Sequence, residues 1–137
     1  MKELTIEAVI ENIAVVTAFV DEQLERLDCP VKIQTQVDIA VDELFSNISH
    51  YAYKPGTGVA TVRVEAVDRP PTVVITFIDN GVKYDPLAKA DPDVTLPLEQ
   101  REIGGLGIYM VKKSMDDVSY EYRDGHNILR IRKNIRE

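Results

Sequence analysis

Apolar residues recur at helical spacing along the first part of the chain. Between residues 10 and 27 six residues, all apolar except Thr17, are separated by three or four positions, as on one face of an amphipathic helix: Ile10, Ile13, Thr17, Val20, Leu24 and Leu27. This helix ends near Pro30, because proline cannot continue a helix interior. A second apolar stripe predicts a helix from about Val31 to His50. Weak alternation from Lys2 to Ala8 predicts a short strand before both.

The pattern changes to strands after residue 58. Apolar and polar residues alternate from Ala60 to Ala66, so one face of this strand is buried and the other solvated. Thr72 to Ile78 is nearly all apolar or β-branched, which suits a central strand covered on most of both faces. Val118 to Tyr122 and Ile128 to Arg132 predict a hairpin around Asp124-Gly125.

The stretch from Val82 to Ile103 is irregular and contains three prolines and several charges, as a functional lid or a disordered loop would. Gly104-Gly105-Leu106-Gly107 then opens a helix to about Met115. The element order predicts an α+β fold, a two-layer sandwich in which a mixed or antiparallel sheet is covered on one face by three helices. We take the sheet as mixed and residues 1–137 as one domain.

Composition narrows the classes of function. The 137 residues carry 16 basic and 23 acidic side chains, a net charge of −7, which argues against nonspecific binding to nucleic acids or anionic membranes. A single cysteine excludes an intrachain disulfide. No apolar run approaches the roughly 18–20 residues of a membrane span, and none near the first residues suggests a signal peptide. We expect a cytoplasmic protein with no direct nucleic-acid or membrane partner.

The second predicted helix carries a pair of polar side chains beside its apolar stripe. Glu43 and Asn47 are four residues apart and therefore lie on one face. At the margin of the stripe they could point into a cleft between helix and sheet. Taken alone, the pair fits a solvated helix edge more simply.

A carboxylate follows the most apolar strand. Asp79 in Asp79-Asn80-Gly81 should be partly desolvated and therefore needs a hydrogen-bond donor. The amino group of adenine could be that donor, and Gly81 would let a planar ring approach the backbone. A simple Asp-Asn-Gly turn is the alternative.

Glycines precede the third helix. Gly104, Gly105 and Gly107 leave the backbone free to wrap an anion, and the helix N-terminus adds unpaired N–H groups and a positive dipole end. Phosphate suits such a site. The spacing matches neither a P-loop nor a dinucleotide fingerprint. A flexible hinge for the preceding segment is the alternative.

Together these elements resemble the GHKL superfamily of ATP-binding domains, and within it the bacterial anti-sigma-factor serine kinases. Asp38 to Asn47 is similar to their first motif, Asp79 to Pro86 to the adenine-binding motif, and Gly104 to Val111 to the phosphate-binding motif. The resemblance extends over about residues 1–133. Two departures are Tyr51-Ala52-Tyr53 in place of the usual His-Ala-Tyr, and Asn127 where many members have threonine.

The resemblance implies a role for each site residue. Asn47 would hold Mg²⁺ between the phosphates of ATP, and Glu43 would be the general base. Asp79 would accept a hydrogen bond from the adenine amino group, with Gly81 beside the ring. Residues 104–107 (Gly104, Gly105, Leu106 and Gly107) would bind the phosphates, and Val82 to Ile103 would be the ATP lid.

The resemblance also implies an activity. The chain would be a protein-serine/threonine kinase that phosphorylates a small anti-anti-sigma-like regulator and controls a sigma factor or similar regulator by binding, with a homodimer possible. Arg101 is the candidate for the catalytic lid arginine, although it is offset by about two residues from the expected position. An ATP-dependent protein-binding switch with little or no phosphotransfer therefore stays open, as does an interaction domain without nucleotide.

Overall fold

The computed structural model describes residues 1–53, 56–88 and 106–136. Their strands are β1 (Lys2–Glu7), β2 (Val59–Asp68), β3 (Pro71–Asp79), β4 (Asp117–Arg123) and β5 (His126–Asn134). The helices are α1 (Ile13–Arg26), α2 (Val31–Tyr51) and α3 (Leu106–Ser114), and a short 3₁₀ turn, Ile10–Asn12, precedes α1. Each strand and helix that the patterns predicted is present, with ends shifted by at most a few residues.

The five strands form one sheet in the order β1-β2-β3-β5-β4. Within the described residues every neighbouring pair is antiparallel, so the expectation of a mixed sheet is wrong. The physical reason lies in the connection through α3. That crossover makes β3 and β4 run in the same direction, but β5 enters between them and is antiparallel to both.

The helices pack on one face of the sheet, as expected for a two-layer α+β sandwich. Alternate residues of β2 are buried, which matches the predicted division into a covered and a solvated face. The central strand β3 is buried from Thr72 to Phe77, as its continuous apolar run predicts. Phe45 on α2 and Phe77 on β3 are the largest fully buried side chains and belong to the same core cluster.

Two carboxyl groups face each other between α1 and α2. The Oδ1 atoms of Asp21 and Asp38 are both buried, and no donor from the described part of the chain reaches either one. Burial, the hydrogen-bonded carboxyl of Asp21 and the nearby charges of Asp42 and Glu25 raise the pKa of Asp38 to about 8. Asp38 therefore retains its proton at neutral pH, and this proton can bridge the two carboxyl groups.

Candidate functional site

Asp79 ends β3 as a buried carboxylate, with 5% of its surface exposed. Its Oδ1 accepts hydrogen bonds from the backbone N–H of Gly81 and from Nδ2 of Asn127, each at 2.9 Å. These two donors offset the cost of removing the charge from water. Among residues 1–53, 56–88 and 106–136 no donor contacts Oδ2. One oxygen of Asp79 is therefore left to accept a hydrogen bond from a ligand.

A cavity lies beside Asp79, between α2 and the sheet. Its walls are mainly apolar and include Leu44, Ile48, Phe77, Val82, Pro86 and Leu129. Asn47 and Tyr120 also line it. Apolar walls with a single carboxylate acceptor suit a planar base that carries an amino group, because the ring packs on the walls and the amino group donates to the acceptor. The lining residues therefore have the chemistry that the predicted adenine site requires, and we call this space the base cavity.

Two tyrosines lie at the rim of the cavity. The rings of Tyr51 and Tyr84 pack against each other with centroids 5.5 Å apart and an interplanar angle of 34°. Both side chains are about half exposed. They provide an aromatic edge where the cavity meets solvent.

The turn after β3 packs directly on the end of α2. A Cβ on Gly81 would overlap the carbonyl oxygen of Ala52, the same atom that accepts a hydrogen bond from the N–H of Val82 at 2.9 Å. The N–H of Asn80 donates to the Tyr53 hydroxyl at 2.8 Å. Only glycine allows this close approach of two backbone segments, so the turn that carries Asp79's donor is fixed against the helix.

Glu43 and Asn47 occupy successive turns of α2, on the side that faces the cavity and the start of α3. Both side chains are half-buried, and Asn47 lines the cavity. A Cβ on Gly107, in the first turn of α3, would overlap the carboxyl group of Glu43. The fold therefore brings a carboxylate, an amide and the start of a helix together beside the base cavity.

Several predicted site residues lie outside the described part of the chain. These are Arg101, Gly104 and Gly105, together with residues 89–103 of the predicted lid. Leu106 is described as the first residue of α3. Glu43, Asn47, Asp79, Gly81 and Gly107 are all described and lie in one region of the molecule.

Asn127 is a site residue that the sequence interpretation noted only as a departure from the family pattern. It lies on β5 directly opposite Asp79 and is 6% exposed. The sequence did contain a signal for this role, because Asn127 falls on the same alternating, buried positions of β5 as Leu129 and Ile131. A polar residue at such a position must find hydrogen-bond partners inside the protein. The hydroxyl of Tyr120 is one, and burial raises its pKa, which keeps it a donor.

Comparison with known families identifies the class of domain to which this fold and cavity belong. The model of the histidine kinase-like ATPase domain matches residues 6–133. The chain belongs to the histidine kinase-like ATPase family, and the resemblance predicted from the motifs is confirmed. Membership of this ATPase family implies that the protein binds ATP.

Relatives with kinase names are similar over most of the chain. Serine-protein kinase RsbW of Bacillus cereus (strain Q1) is 30% identical over 132 residues, covering 93% of this chain and 81% of the relative. Serine/threonine-protein kinase BtrW of Bordetella bronchiseptica is 29% identical over 98 residues, covering 72% and 68%. Serine-protein kinase RsbW of Bacillus anthracis (strain A0248) is 26% identical over 131 residues, covering 93% and 81%. The chain is thus related to protein kinases.

No helix among the described residues has the length and apolar character needed to cross a membrane.

Proposed function

We propose that this protein is an ATP- and Mg²⁺-dependent protein-serine/threonine kinase of the anti-sigma-factor type, acting in the cytoplasm. Its substrate is a small anti-anti-sigma-like regulator, and it also controls a sigma factor or similar regulator by binding it. The observation that carries the proposal is the contact of Glu43 with Gly107, one helical turn from Asn47 and beside the base cavity. The kinase names of the relatives support it.

The binding roles follow from residue chemistry. Asp79 accepts from the adenine amino group through its free oxygen, and Gly81 leaves room for the ring. The side-chain oxygen of Asn47 is a suitable ligand for Mg²⁺, which prefers oxygen donors. Backbone N–H groups of residues 104–107 bind the phosphates at the start of α3. We propose that residues 1–137 form one such domain, with a lid over about residues 82–103.

The catalytic roles fall to two side chains. ATP supplies the phosphoryl group, and the protein contributes orientation and charge. Glu43 accepts the proton of the attacking serine or threonine hydroxyl, since its carboxyl group lies against the start of the helix where the phosphates bind. Arg101 neutralises negative charge on the transferred group. The Glu43 role needs no backbone movement, because both elements already meet.

The test is single-turnover transfer from labelled ATP to a purified candidate regulator, with wild type, Glu43→Gln and Asp42→Asn compared at saturating nucleotide. Glu43→Gln keeps the shape and removes the base, so ATP binding should persist while transfer falls by about 10²–10⁴-fold. Asp42 is the adjacent, exposed acid on α2 and serves as the matched control. Its variant should transfer at the wild-type rate.

Two results would contradict the proposal. If Glu43→Gln transfers as fast as wild type, Glu43 is not the base. If the wild type binds ATP and its regulator but never transfers phosphate, the protein is instead an ATP-dependent binding switch.

A further inference from the structure

Asn127 is the centre of a buried hydrogen-bond network beneath the base cavity. Its Nδ2 donates to Oδ1 of Asp79 at 2.9 Å and to the carbonyl oxygen of Val82 at 2.8 Å. Its Oδ1 accepts from the backbone N–H of Tyr84 at 3.1 Å and from the hydroxyl of Tyr120. Both N–H groups and both lone pairs of the amide are therefore used.

The partners allow only one orientation of this amide. Val82 offers a carbonyl oxygen, which can only accept, and Tyr84 offers a backbone N–H, which can only donate. Turning the Asn127 amide over would set donor against donor at Tyr84 and acceptor against acceptor at Val82. The N–H that points to Asp79 is thus fixed from two independent sides.

A fixed donor at Asn127 in turn fixes the carboxylate of Asp79. Oδ1 receives the N–H groups of both Gly81 and Asn127, so rotation of the carboxyl group would break two charge-assisted hydrogen bonds. Oδ2 stays free within the described residues, and Asp79 lines the cavity. Asp79 and Asn127 therefore present a hydrogen-bond acceptor, and no donor, to a nucleobase that enters the cavity.

We propose that Asn127 is the positioning residue that sets the base preference of the cavity. By saturating Oδ1 of Asp79, it leaves Oδ2 to accept from an exocyclic amino group at the position where adenine carries one. Guanine carries a carbonyl oxygen there, and two acceptors would face each other. This proposal rests on the proposed function, since it concerns how the same site selects ATP over GTP.

A hydroxyl at position 127 could not do the same. A serine or threonine side chain has one proton, whereas Asn127 donates to Asp79 and to Val82 at once. The amide of Asn127 therefore links Asp79, the proposed acceptor for adenine, to Val82, the first residue after Gly81. The network orients one carboxylate and anchors the start of the segment that follows it.

The first test is calorimetric binding of Mg·ATP and Mg·GTP to wild type, Asn127→Leu and Thr72→Val. Asn127→Leu keeps the branched shape and removes every donor, so ATP affinity should fall by about tenfold to a hundredfold and the preference for ATP over GTP should shrink. Thr72 is the matched control: it is 7% exposed, lies at the opposite end of β3, and its hydroxyl is within hydrogen-bond distance of two oxygen atoms, the Pro70 carbonyl and Asn134 Oδ1. Thr72→Val should lower the melting temperature without changing the ATP-to-GTP ratio.

The second test measures how ATP affinity changes with pH in Asn127→Asp. A purely structural role of Asn127 would not produce the pH dependence described here. In Asn127→Asp two carboxyl groups share the buried site, so the pair retains one proton at low pH and loses it as the pH rises. At the low-pH end of the series that proton bonds Asp79, and ATP affinity should approach the wild-type value. By pH 8.5 the affinity should fall at least about tenfold, while the wild type changes little.

The outcomes separate the two proposals. A wild type that binds no ATP overturns the proposed function and this inference with it. A wild type that binds ATP, with an unchanged ATP-to-GTP ratio in Asn127→Leu or with pH-independent affinity in Asn127→Asp, overturns the inference alone. If Asn127→Leu does not fold, the pH series of Asn127→Asp decides.

Discussion

Replacing Asp38 by asparagine should stabilise the protein, and the gain should grow with pH. Asp38 faces Asp21 between α1 and α2, and its pKa is raised from an ordinary value of 3.8 to about 8 by burial and by its acidic neighbours. Between about pH 4 and pH 8 the folded state therefore holds a proton that the unfolded state has released. The contribution of Asp38 to the free energy of unfolding falls as the pH rises through this window and is constant above it.

The magnitude follows from the partial exposure of the pair. For a group fully removed from water, a rise in pKa from 3.8 to about 8 would change the free energy of unfolding by several kcal/mol, because one pKa unit corresponds to about 1.4 kcal/mol. Solvent screening reduces it here to about 1–2 kcal/mol at pH 8. Asp38→Asn removes the titrating charge, and its amide can donate to the buried Oδ1 of Asp21. The variant and the wild type should therefore be nearly equal at pH 4.5 and differ by that amount at pH 8.

The assay is urea unfolding of the nucleotide-free protein at pH 4.5, 6.5 and 8. Glu22→Gln is the control, because it removes one negative charge from the exposed side of α1, where Glu22 pairs with Arg26. That variant should follow the pH dependence of the wild type. A constant difference between Asp38→Asn and wild type at all three pH values would refute the shared proton, as would a variant less stable than wild type at pH 8.

Three further changes test the site. Asp79→Asn places an amide donor against the adenine amino group and should weaken ATP binding about tenfold to a hundredfold by calorimetry; equal affinity would rule out that contact. Gly81→Ala should lower the free energy of unfolding by about 1–3 kcal/mol in urea, because the added methyl meets the backbone of Ala52, and an unchanged midpoint would contradict the close packing. In Gly107→Ala the three atoms nearest to the added methyl all belong to the flexible end of Glu43, so the midpoint should hardly move while single-turnover phosphotransfer falls; a wild-type rate would show that the position of the carboxyl group does not matter.

Local signals in the sequence predicted the elements well and the contacts between them poorly. The apolar run of β3 and the apolar stripe of α2 each result from the burial of one element. The spacing of apolar residues within that element is therefore enough to predict it. The antiparallel sheet was not predictable in the same way, because it depends on where β5 enters. That position is set by packing across the whole domain.

The candidate site divides in the same manner. Asp79 and the Glu43–Asn47 pair stand out because each follows a local rule, the end of an apolar strand or one face of a helix. Asn127 contacts Asp79 across 48 positions of sequence, and its role depends on the register between β3 and β5. The proximity of Asp21 and Asp38 likewise depends on how α1 and α2 pack together, and the sequence pattern of either helix alone does not predict that packing.

The position of β5 has a consequence for how the chain folds during synthesis. β5 is the last strand of the sheet to leave the ribosome, yet it lies between β3 and β4. Until then the most apolar strand of the nascent chain keeps one edge unpaired, a state that favours association with other chains. Asp79 also lacks the donor from Asn127 at that stage, so the proposed adenine site is not yet complete. Pairing of β5 with β3 and completion of the proposed adenine site are therefore one late event, which depends on contacts between residues distant in sequence.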